Sequence, residues 1–318
     1  MVDTSRINSL AIATVLASFV CVLFSLASQK EYIPWFGKNI SIDCAEMKDL
    51  LRFGYPFVFS MGITSLFQSL DKLALNHYAT YADVGIYTSA MAFVSLFAVI
   101  QSTFNIVWVP KAVQHYEKCP EDKGYYKTAF NIISVVMFAV GITLILFKDF
   151  FALLLGGQYR DAEYIMPFLI FHPIMYTISE TTVCGIDFMK KSKMHVFIAS
   201  GACLTNFLGN SFLVPIIGCR GAALSTGVSY IVFFILRTVI AEKVFPVRFN
   251  LLKLFIVTIE VFIYAAYNTF YEFGVLNVVF AIICYLTLYT LYRDTIKWCY
   301  RYIKNSIVVS AYFKGRRK

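Results

Sequence analysis

The sequence predicts an all-α polytopic membrane protein with about nine transmembrane helices. Hydrophobic residues make up 59% of its 318 positions and charged residues only 15%, and the mean hydropathy is +0.68. An ordinary soluble domain is about 45–50% apolar and about 25% charged. The 31 Phe and 21 Tyr residues also exceed what the core of one soluble domain would hold. These three observations favour a chain that lies mostly in lipid.

Charge-poor windows of about 20 residues locate the predicted helices, because that length of helix crosses the hydrocarbon core. Helices are expected there since they satisfy their own backbone polar groups, which lipid does not. Glu260 and Glu272 make the last two windows the least regular. The nine windows are 7–28, 53–77, 84–108, 128–147, 163–184, 194–216, 221–240, 252–271 and 273–292.

Basic residues are concentrated on alternate loops. Of the 28 Lys and Arg residues, 23 fall in five alternate segments, 4 fall in the other loops and ends, and Lys72 lies within a window. Cytoplasmic loops are the positively charged ones. The pattern therefore predicts a cytoplasmic C-terminus and, with nine spans, an external N-terminus. The basic segments are 29–52, 109–127, 185–193, 237–253 and 293–318.

Metal, cofactor and nucleic-acid chemistry is not expected. The eight cysteines and four histidines show no CxxC pair and no Cys/His cluster, so neither a disulfide framework nor a metal site is predicted. The net charge of +9 follows the loops between apolar windows, which is typical of a membrane surface and not of a nucleic-acid site. No catalytic residue and no cofactor is predicted.

Polar residues recur at helical spacing within several windows. The most unusual are Asp71 and Lys72, since each charge at the bilayer centre costs about 2.5–3.5 kcal/mol. Ionisable groups in several spans are typical of a hydrated transport cavity. Helix-to-helix hydrogen bonding would explain the uncharged stripes, and Lys72 is near enough to a helix end to snorkel. The candidate substrate or cavity residues are Gln68, Asp71, Lys72, Asn76, Gln101, Asn105, His172, Glu180, Asn206 and Asn210.

Two segments resemble a known transporter family. Residues 50–110 contain an Asp71-Lys72 pair, a "GIY" at 85–87 and a "WVP" at 108–110. Residues 204–237 contain an asparagine-rich helix followed by "GAA" at 221–223. Together they resemble the C-terminal lobe of the polysaccharide flippases (O-antigen or capsule type) of the multidrug/oligosaccharidyl-lipid/polysaccharide exporter superfamily. That family usually has Asp-Arg at the first pair, whereas Lys72 lacks the two-pronged guanidinium of arginine.

The resemblance implies two six-helix lobes around a central cavity, sometimes followed by two more helices. On that pattern residues 1–49 are the last helix of an N-terminal lobe plus a cytoplasmic connector, and 50–241 are a six-helix C-terminal lobe. Residues 242–293 form two additional transmembrane helices, and 294–318 form a basic cytoplasmic tail. Most of the N-terminal lobe is then absent from the 318 residues. We expect the opposing wall to come from that lobe or from a second copy, and the 318 residues alone not to support export.

The implied function is the movement of a polyprenyl-diphosphate-linked oligosaccharide across the bacterial inner membrane for surface polysaccharide synthesis, by rocking of the two lobes. Cationic cavity groups would balance the diphosphate. An acidic group such as Asp71 or Glu180 would carry a coupling proton, and sodium is the other coupling ion expected in such a transporter. The remaining partners are membrane lipids.

Two other functions stay open from the sequence. A drug/cation antiporter of the same superfamily would share the fold. A membrane enzyme of the same pathway, a glycosyltransferase or polymerase, is disfavoured, because such enzymes commonly need an ordered site in a sizeable loop. The longest predicted outer loop has about 15 residues, and it contains neither a DxD nor an HxxxxD motif.

Overall fold

The computed structural model describes residues 4–28, 44–155, 157–302 and 304, which form helices and short connections without a β-strand. This confirms the all-α prediction. The chain divides into two compact units, residues 1–50 and 51–318. The first unit contains α1 (Thr4–Ser28) and the beginning of α2 (Cys44–Tyr78). In α1 the side chains of residues 12–28 are exposed. The second unit contains the rest of α2 and the helices that follow it.

Ten further helices follow α2. A 3₁₀ segment, Gly157–Tyr164, separates α6 from α7. The helices are α3 (Tyr81–Ser95), α4 (Ala98–Lys118), α5 (Lys123–Leu146), α6 (Lys148–Leu154), α7 (Met166–Leu169), α8 (Phe171–Phe188), α9 (Lys193–Val244), α10 (Leu251–Phe270), α11 (Val275–Leu291) and α12 (Arg293–Tyr302).

Several of these helices are suited to a membrane. Among the described residues, four helical stretches are long and apolar enough to cross it, or five if α11 and α12, which meet at 76°, count as one span. The result confirms a multi-pass membrane protein, while the count of nine stays a prediction. The window at 163–184 is divided among the 3₁₀ segment, α7 and α8. The four stretches are Tyr81–Lys118, Lys123–Leu146, Lys193–Val244 and Leu251–Phe270.

Helix α9 is a hairpin of two antiparallel halves, although its helical assignment runs through the turn. The backbone leaves helical geometry at Ile217 and at Gly218, where φ is 54° and ψ is −133°. Glycine adopts that conformation readily because it has no Cβ. A Cβ built on Gly209 would overlap the side chain of Ser225, so the halves touch closely. We call them α9a (193–216) and α9b (219–244), and they correspond to the predicted windows 194–216 and 221–240.

Helix α8 lies at the centre of the second unit. It packs against α4, α5 and α9, and nearly all its residues from Pro173 to Ile186 are buried. Several of these are Ser and Thr, whose hydroxyls form hydrogen bonds with carbonyls of the preceding turn or with a neighbouring helix. The Thr182 hydroxyl does both, with the carbonyl of Ser179 and with the hydroxyl of Thr238, each at 3.0 Å. The Trp108 indole donates to the carbonyl of Glu180 at 3.1 Å. These contacts fix the position of Glu180 in the bundle.

A polar stripe in α10 serves helix packing. Tyr264 donates to Oδ1 of Asn277 at 2.6 Å, and the Thr287 hydroxyl donates to Glu260 at 3.0 Å. Both partners lie on α11, which packs against α10 and α5. Hydrogen bonds of this kind hold helices together in an apolar environment, where the hydrophobic effect contributes little between helices.

Candidate functional site

A buried carboxylate lies where α2, α3 and both halves of α9 meet. Asp71 is 3% exposed. One of its oxygens accepts hydrogen bonds from the hydroxyls of Tyr87 and Thr226, at 2.7 and 2.8 Å. The other accepts from the amides of Asn206 and Asn210, at 3.0 and 2.8 Å. We call these five residues the Asp71 cluster, and the hairpin of α9 is what brings its two halves to one carboxylate.

The Asp71 cluster satisfies its carboxylate without a cation. A carboxylate has about four acceptor positions, and four donors occupy them. Each hydrogen bond to a charged group contributes about 1.5–3 kcal/mol net, which offsets much of the cost of burial. Within the described part of the chain no Lys, Arg or His pairs with Asp71. In the same part, Oδ1 of Asn210 is buried and has no partner.

The structure separates Asp71 from Lys72. Adjacent helical residues point about 100° apart, and while Asp71 is buried, the Lys72 side chain is exposed on α2. Gln68 and Asn76 are exposed as well. The polar face predicted for this helix is therefore divided, with Asp71 inside the bundle and the other three outside it.

A second polar site is a cavity of about 400 Å³ between α2, α4, α8 and α9. Its lining has hydroxyl, amide, aromatic and charged side chains. We call it the inner cavity, since it lies near the basic loop 185–193, which is predicted to be cytoplasmic. The lining residues are Phe57, Ser60, Met61, Thr64, Ser65, Asn105, Tyr176, Glu180, Asp187, His195 and Arg237.

A buried ion pair forms the deepest charged part of the inner cavity. Arg237 on α9b and Glu180 on α8 are 7% and 8% exposed, and their charged groups are 2.7 Å apart. Arg237 also donates to the hydroxyl of Ser179 at 2.7 Å, and its guanidinium lies 5.4 Å from the ring centroids of Tyr176 and Phe233. Stacking and hydrogen bonds together compensate the lost hydration of the guanidinium.

Two polar atoms at the inner cavity have no hydrogen-bond partner among the described residues. One is the buried Nε of Arg237, which is a donor, and the other is the buried Oδ1 of Asn105, which is an acceptor. Buried polar groups in folded proteins nearly always have a partner. An unpaired donor and an unpaired acceptor beside one cavity are the pattern expected where a polar ligand supplies the missing bonds.

The two sites lie toward opposite ends of the helices. The Asp71 cluster is close in sequence to the short connections at 78–83 and 217–220. At the inner cavity, Asp187 and His195 form a 2.9 Å pair across the basic loop 190–193. Thr64 of the cavity and Asp71 are two turns apart on α2, about 10 Å along the helix. With the predicted orientation, the cavity lies toward the cytoplasm and the cluster toward the outside.

The predicted site residues therefore fall into four groups. Asp71, Asn206 and Asn210 form one cluster, while Asn105 and Glu180 line the inner cavity. Gln101 and His172 belong to neither, and His172 stacks on Tyr230 with 4.2 Å between ring centroids. Gln68, Lys72 and Asn76 are exposed on α2.

Arg237 corrects the sequence analysis. Its count as one of the basic residues of loop 237–253 is wrong, because Arg237 is a buried residue within α9. The signal was present in the sequence, since Arg237 also falls within the predicted window 221–240, and an intramembrane Glu180 needs a partner. Tyr87 and Thr226 were also missed as members of the Asp71 cluster, and single hydroxyls in a window give little indication of such a role.

A third polar region lies beside α6 and the 3₁₀ segment, where four carboxylates and Arg160 line a cavity of about 500 Å³. Lys148 is fully buried here and donates to the carbonyl of Asn268 at 2.9 Å. Burial lowers the pKa of Lys148, and nearby Asp149 opposes that shift. No group of three His, Cys, Asp or Glu in the described residues is placed to hold a metal ion.

The fold and the site define a multi-pass α-helical membrane protein with a polar cavity and a buried carboxylate in an apolar bundle. The family of polysaccharide biosynthesis proteins matches residues 4–163, half of the chain, and the chain belongs to that family.

Among solved structures, the fold is similar to "Lipid II flippase MurJ, inward closed conformation", with a TM-score of 0.56 and 16% sequence identity. The match covers 82% of this chain and 58% of that one, so the chain spans less than two thirds of its structural neighbour. No curated protein sequence matches the chain.

Proposed function

We propose that the protein is a transporter that moves a polyprenyl-diphosphate-linked oligosaccharide from the inner to the outer leaflet of the bacterial inner (cytoplasmic) membrane, for O-antigen or capsule synthesis. The observation that carries the proposal is the inner cavity, with its buried Arg237–Glu180 pair, in a chain of the polysaccharide biosynthesis family. An apolar bundle accepts such charges where they serve a substrate or ion pathway. The similarity to a lipid II flippase in fold supports the same class.

Rocking between two states is the proposed mechanism. The inner cavity receives the saccharide from the cytoplasmic side, while the Asp71 cluster closes the outer half of the bundle. Opening to the outside requires α2 and α9 to separate at Asp71. Protonation of Asp71, or binding of a sodium ion at its oxygens and at the unpaired Oδ1 of Asn210, would supply the coupling. The C-terminus is cytoplasmic in this proposal.

The second wall of the substrate path belongs to a further part of the transporter. The exposed polar residues of α2, which are Gln68, Lys72 and Asn76, lie outside the bundle that the second unit forms. In lipid these groups would be costly. We propose that they face an N-terminal lobe or a second copy of this chain, and that they contribute to the path from there.

The test is complementation of a flippase-null strain, with surface polysaccharide as the readout. The chain is expressed alone and together with an N-terminal lobe of about five further helices from the same family. We expect export only in the second case. Export by the chain alone would indicate a second copy as the opposing wall. Absence of export in both cases, at normal protein level and with a positive control flippase restoring it, would contradict the proposed function.

A drug/cation antiporter is the second candidate, and the charge of the inner cavity favours it. Among the lining residues that the structure describes, and with His195 neutral, Arg237 contributes one positive charge and Glu180 and Asp187 contribute two negative charges, a net charge of −1. Organic cations bind well to acidic cavities with aromatic walls. Efflux of ethidium from cells that express the chain with the lobe would support this candidate, and unchanged ethidium retention together with restored polysaccharide would exclude it.

A further inference from the structure

We infer that the inner cavity binds an uncharged sugar ring of the lipid-linked saccharide and not the diphosphate. The inference rests on the proposed function and assigns one part of the substrate to a defined set of side chains. It replaces the expectation that cationic groups of this cavity balance the diphosphate.

The charges of the inner cavity disfavour a diphosphate. Among the described residues, the acidic and basic side chains that line it are Arg237, Glu180, Asp187 and His195. The sum of their charges is −1 with His195 neutral and zero with His195 protonated. Arg237 is the one permanent cation among these four, and it is already paired with Glu180 at 2.7 Å. A diphosphate would therefore meet two carboxylates and no unpaired cation among the described lining residues, and like charges repel strongly in a site of reduced dielectric constant.

The unpaired polar atoms fit a hydroxyl. Nε of Arg237 can only donate and Oδ1 of Asn105 can only accept, and neither has a partner among the residues that the structure describes. A phosphate oxygen accepts but cannot donate, so it would leave Asn105 unsatisfied. A quaternary organic cation does neither, so it would leave both unsatisfied. A sugar carries several hydroxyls, each of which donates and accepts.

The remaining lining also suits a sugar ring. The hydroxyls of Ser60 and Ser65 lie on the α2 side of the cavity, and Tyr176 on α8 provides an aromatic wall. The Tyr176 ring is held in place by stacking on Phe233, with 5.6 Å between centroids and 7° between planes. A fixed aromatic ring offers the flat apolar surface on which the C–H face of a sugar packs. The volume of about 400 Å³ falls within the range of about 300–1,000 Å³ that is usual for small-ligand sites.

The experiment is ligand-observed NMR with the purified 318-residue chain in lipid nanodiscs, which avoids sugar-based detergents. Three probes are compared at millimolar concentration: methyl glycosides of neutral hexoses and N-acetylhexosamines, inorganic pyrophosphate, and tetraphenylphosphonium. The test variant is Asn105→Leu. The matched control is Asn131→Leu, because Oδ1 of Asn131 on α5 is likewise buried and unpartnered in the described chain but does not line the cavity.

We expect at least one methyl glycoside to show saturation transfer, with affinity at least fivefold weaker for Asn105→Leu and unchanged for Asn131→Leu. Pyrophosphate should show no binding that depends on Asn105. Three results would overturn the inference: no glycoside binding, equal loss in both variants, or Asn105-dependent binding of pyrophosphate or tetraphenylphosphonium instead.

The export assay separates failure of this inference from failure of the proposed function. If polysaccharide export is restored by the wild-type chain with its lobe and equally by Asn105→Leu, the sugar site is wrong while the flippase stands. If no export occurs with the wild type, the proposed function fails, whatever the NMR result. We expect restored export for the wild type and Asn131→Leu, and export reduced at least fivefold for Asn105→Leu.

Discussion

The Asp71 cluster and the inner cavity show two ways of placing a carboxylate inside an apolar helix bundle. Asp71 has four hydrogen-bond donors and no cation in the described chain, whereas Glu180 has a buried cation in Arg237. Each site has a buried acceptor without a partner among the described residues, Oδ1 of Asn210 in the cluster and Oδ1 of Asn105 at the cavity. The cavity differs in its open volume of about 400 Å³ and in an unpaired donor, Nε of Arg237. The difference agrees with a cluster that joins helices and with a cavity that, as we propose, binds a ligand.

Among the changes considered, loss of the Asp71 carboxylate should lower the stability of the folded protein most. Asp71→Ala removes four acceptor positions and leaves the donors of Tyr87, Thr226 and two asparagines in an apolar interior. Removing one partner of a buried charged network costs about 3–5 kcal/mol. We expect a clearly lower thermal midpoint in detergent and reduced protein in the membrane. The control is Asp161→Ala, an exposed carboxylate, and an equal midpoint for both variants would contradict the account.

The Arg237–Glu180 pair should give an intermediate effect that depends on how it is removed. Arg237→Met alone leaves Glu180 buried without its cation, which we expect to cost about 3 kcal/mol. The double variant Arg237→Met/Glu180→Met replaces both charges by apolar groups and should recover most of that loss. We expect export to be absent in Arg237→Met and also in the double variant, because in both the cavity has lost its unpaired donor, Nε of Arg237.

The measurement is thermal unfolding of Arg237→Met, of Glu180→Met and of the double variant, in parallel with export in the complementation strain. Recovery of stability without recovery of export separates a ligand-binding role from a packing role. Recovery of both would show that the pair serves packing alone.

Lys72 should have a small effect on stability, since its side chain is exposed on α2. Surface changes away from packed features usually alter stability by less than about 0.5 kcal/mol. If Lys72 faces the substrate path of the complete transporter, Lys72→Ala should abolish export at normal protein level and Lys72→Arg should retain it. Normal export by Lys72→Ala would instead support snorkelling to the membrane surface.

The opposite placement of the two sites can be tested without disturbing either. Cys119 follows α4 and is exposed, and it should react with a membrane-impermeant thiol reagent only after the inner face is made accessible. A cysteine introduced at the exposed position Thr80, in a background without Cys119, should react in intact cells. The reverse pattern would place the cavity outside and the cluster inside.

The fold class could be predicted from composition and charge alone, because lipid allows few structures. The helical windows at 194–216 and 221–240 correspond to the two halves of the α9 hairpin. Pro215, three residues before Gly218, indicated the break, because proline interrupts helical hydrogen bonding. The division of the window 163–184 into a 3₁₀ segment and two helices was not predicted, since Pro167 and Pro173 indicate kinks but not where the helix stops.

The candidate site was only partly readable from the sequence. Asp71 and Glu180 stand out because charges are rare in apolar windows. Their partners depend on how helices rotate and pack, so Tyr87 and Thr226 could not be assigned from spacing. Arg237 had a signal, because it falls within the predicted window 221–240, but spacing alone does not place it opposite Glu180. Helical periodicity placed Lys72 and Asp71 on adjoining faces, but only the packed bundle shows that the first is exposed and the second buried. A role in the substrate path for the exposed α2 residues Gln68, Lys72 and Asn76 stays a prediction.

The most direct test of the account is the leaflet position of the lipid-linked oligosaccharide in cells that lack this protein. Spheroplasts are treated with periodate, which oxidises accessible sugar diols, before and after permeabilisation, and the lipid-linked pool is then extracted. We predict that without the protein this pool accumulates and resists oxidation until the membrane is permeabilised. Expression of the wild-type chain together with the N-terminal lobe should make it accessible in intact spheroplasts, whereas Asn105→Leu with the same lobe should not. Equal accessibility in intact spheroplasts with and without the protein would contradict the proposal that it moves lipid-linked oligosaccharide.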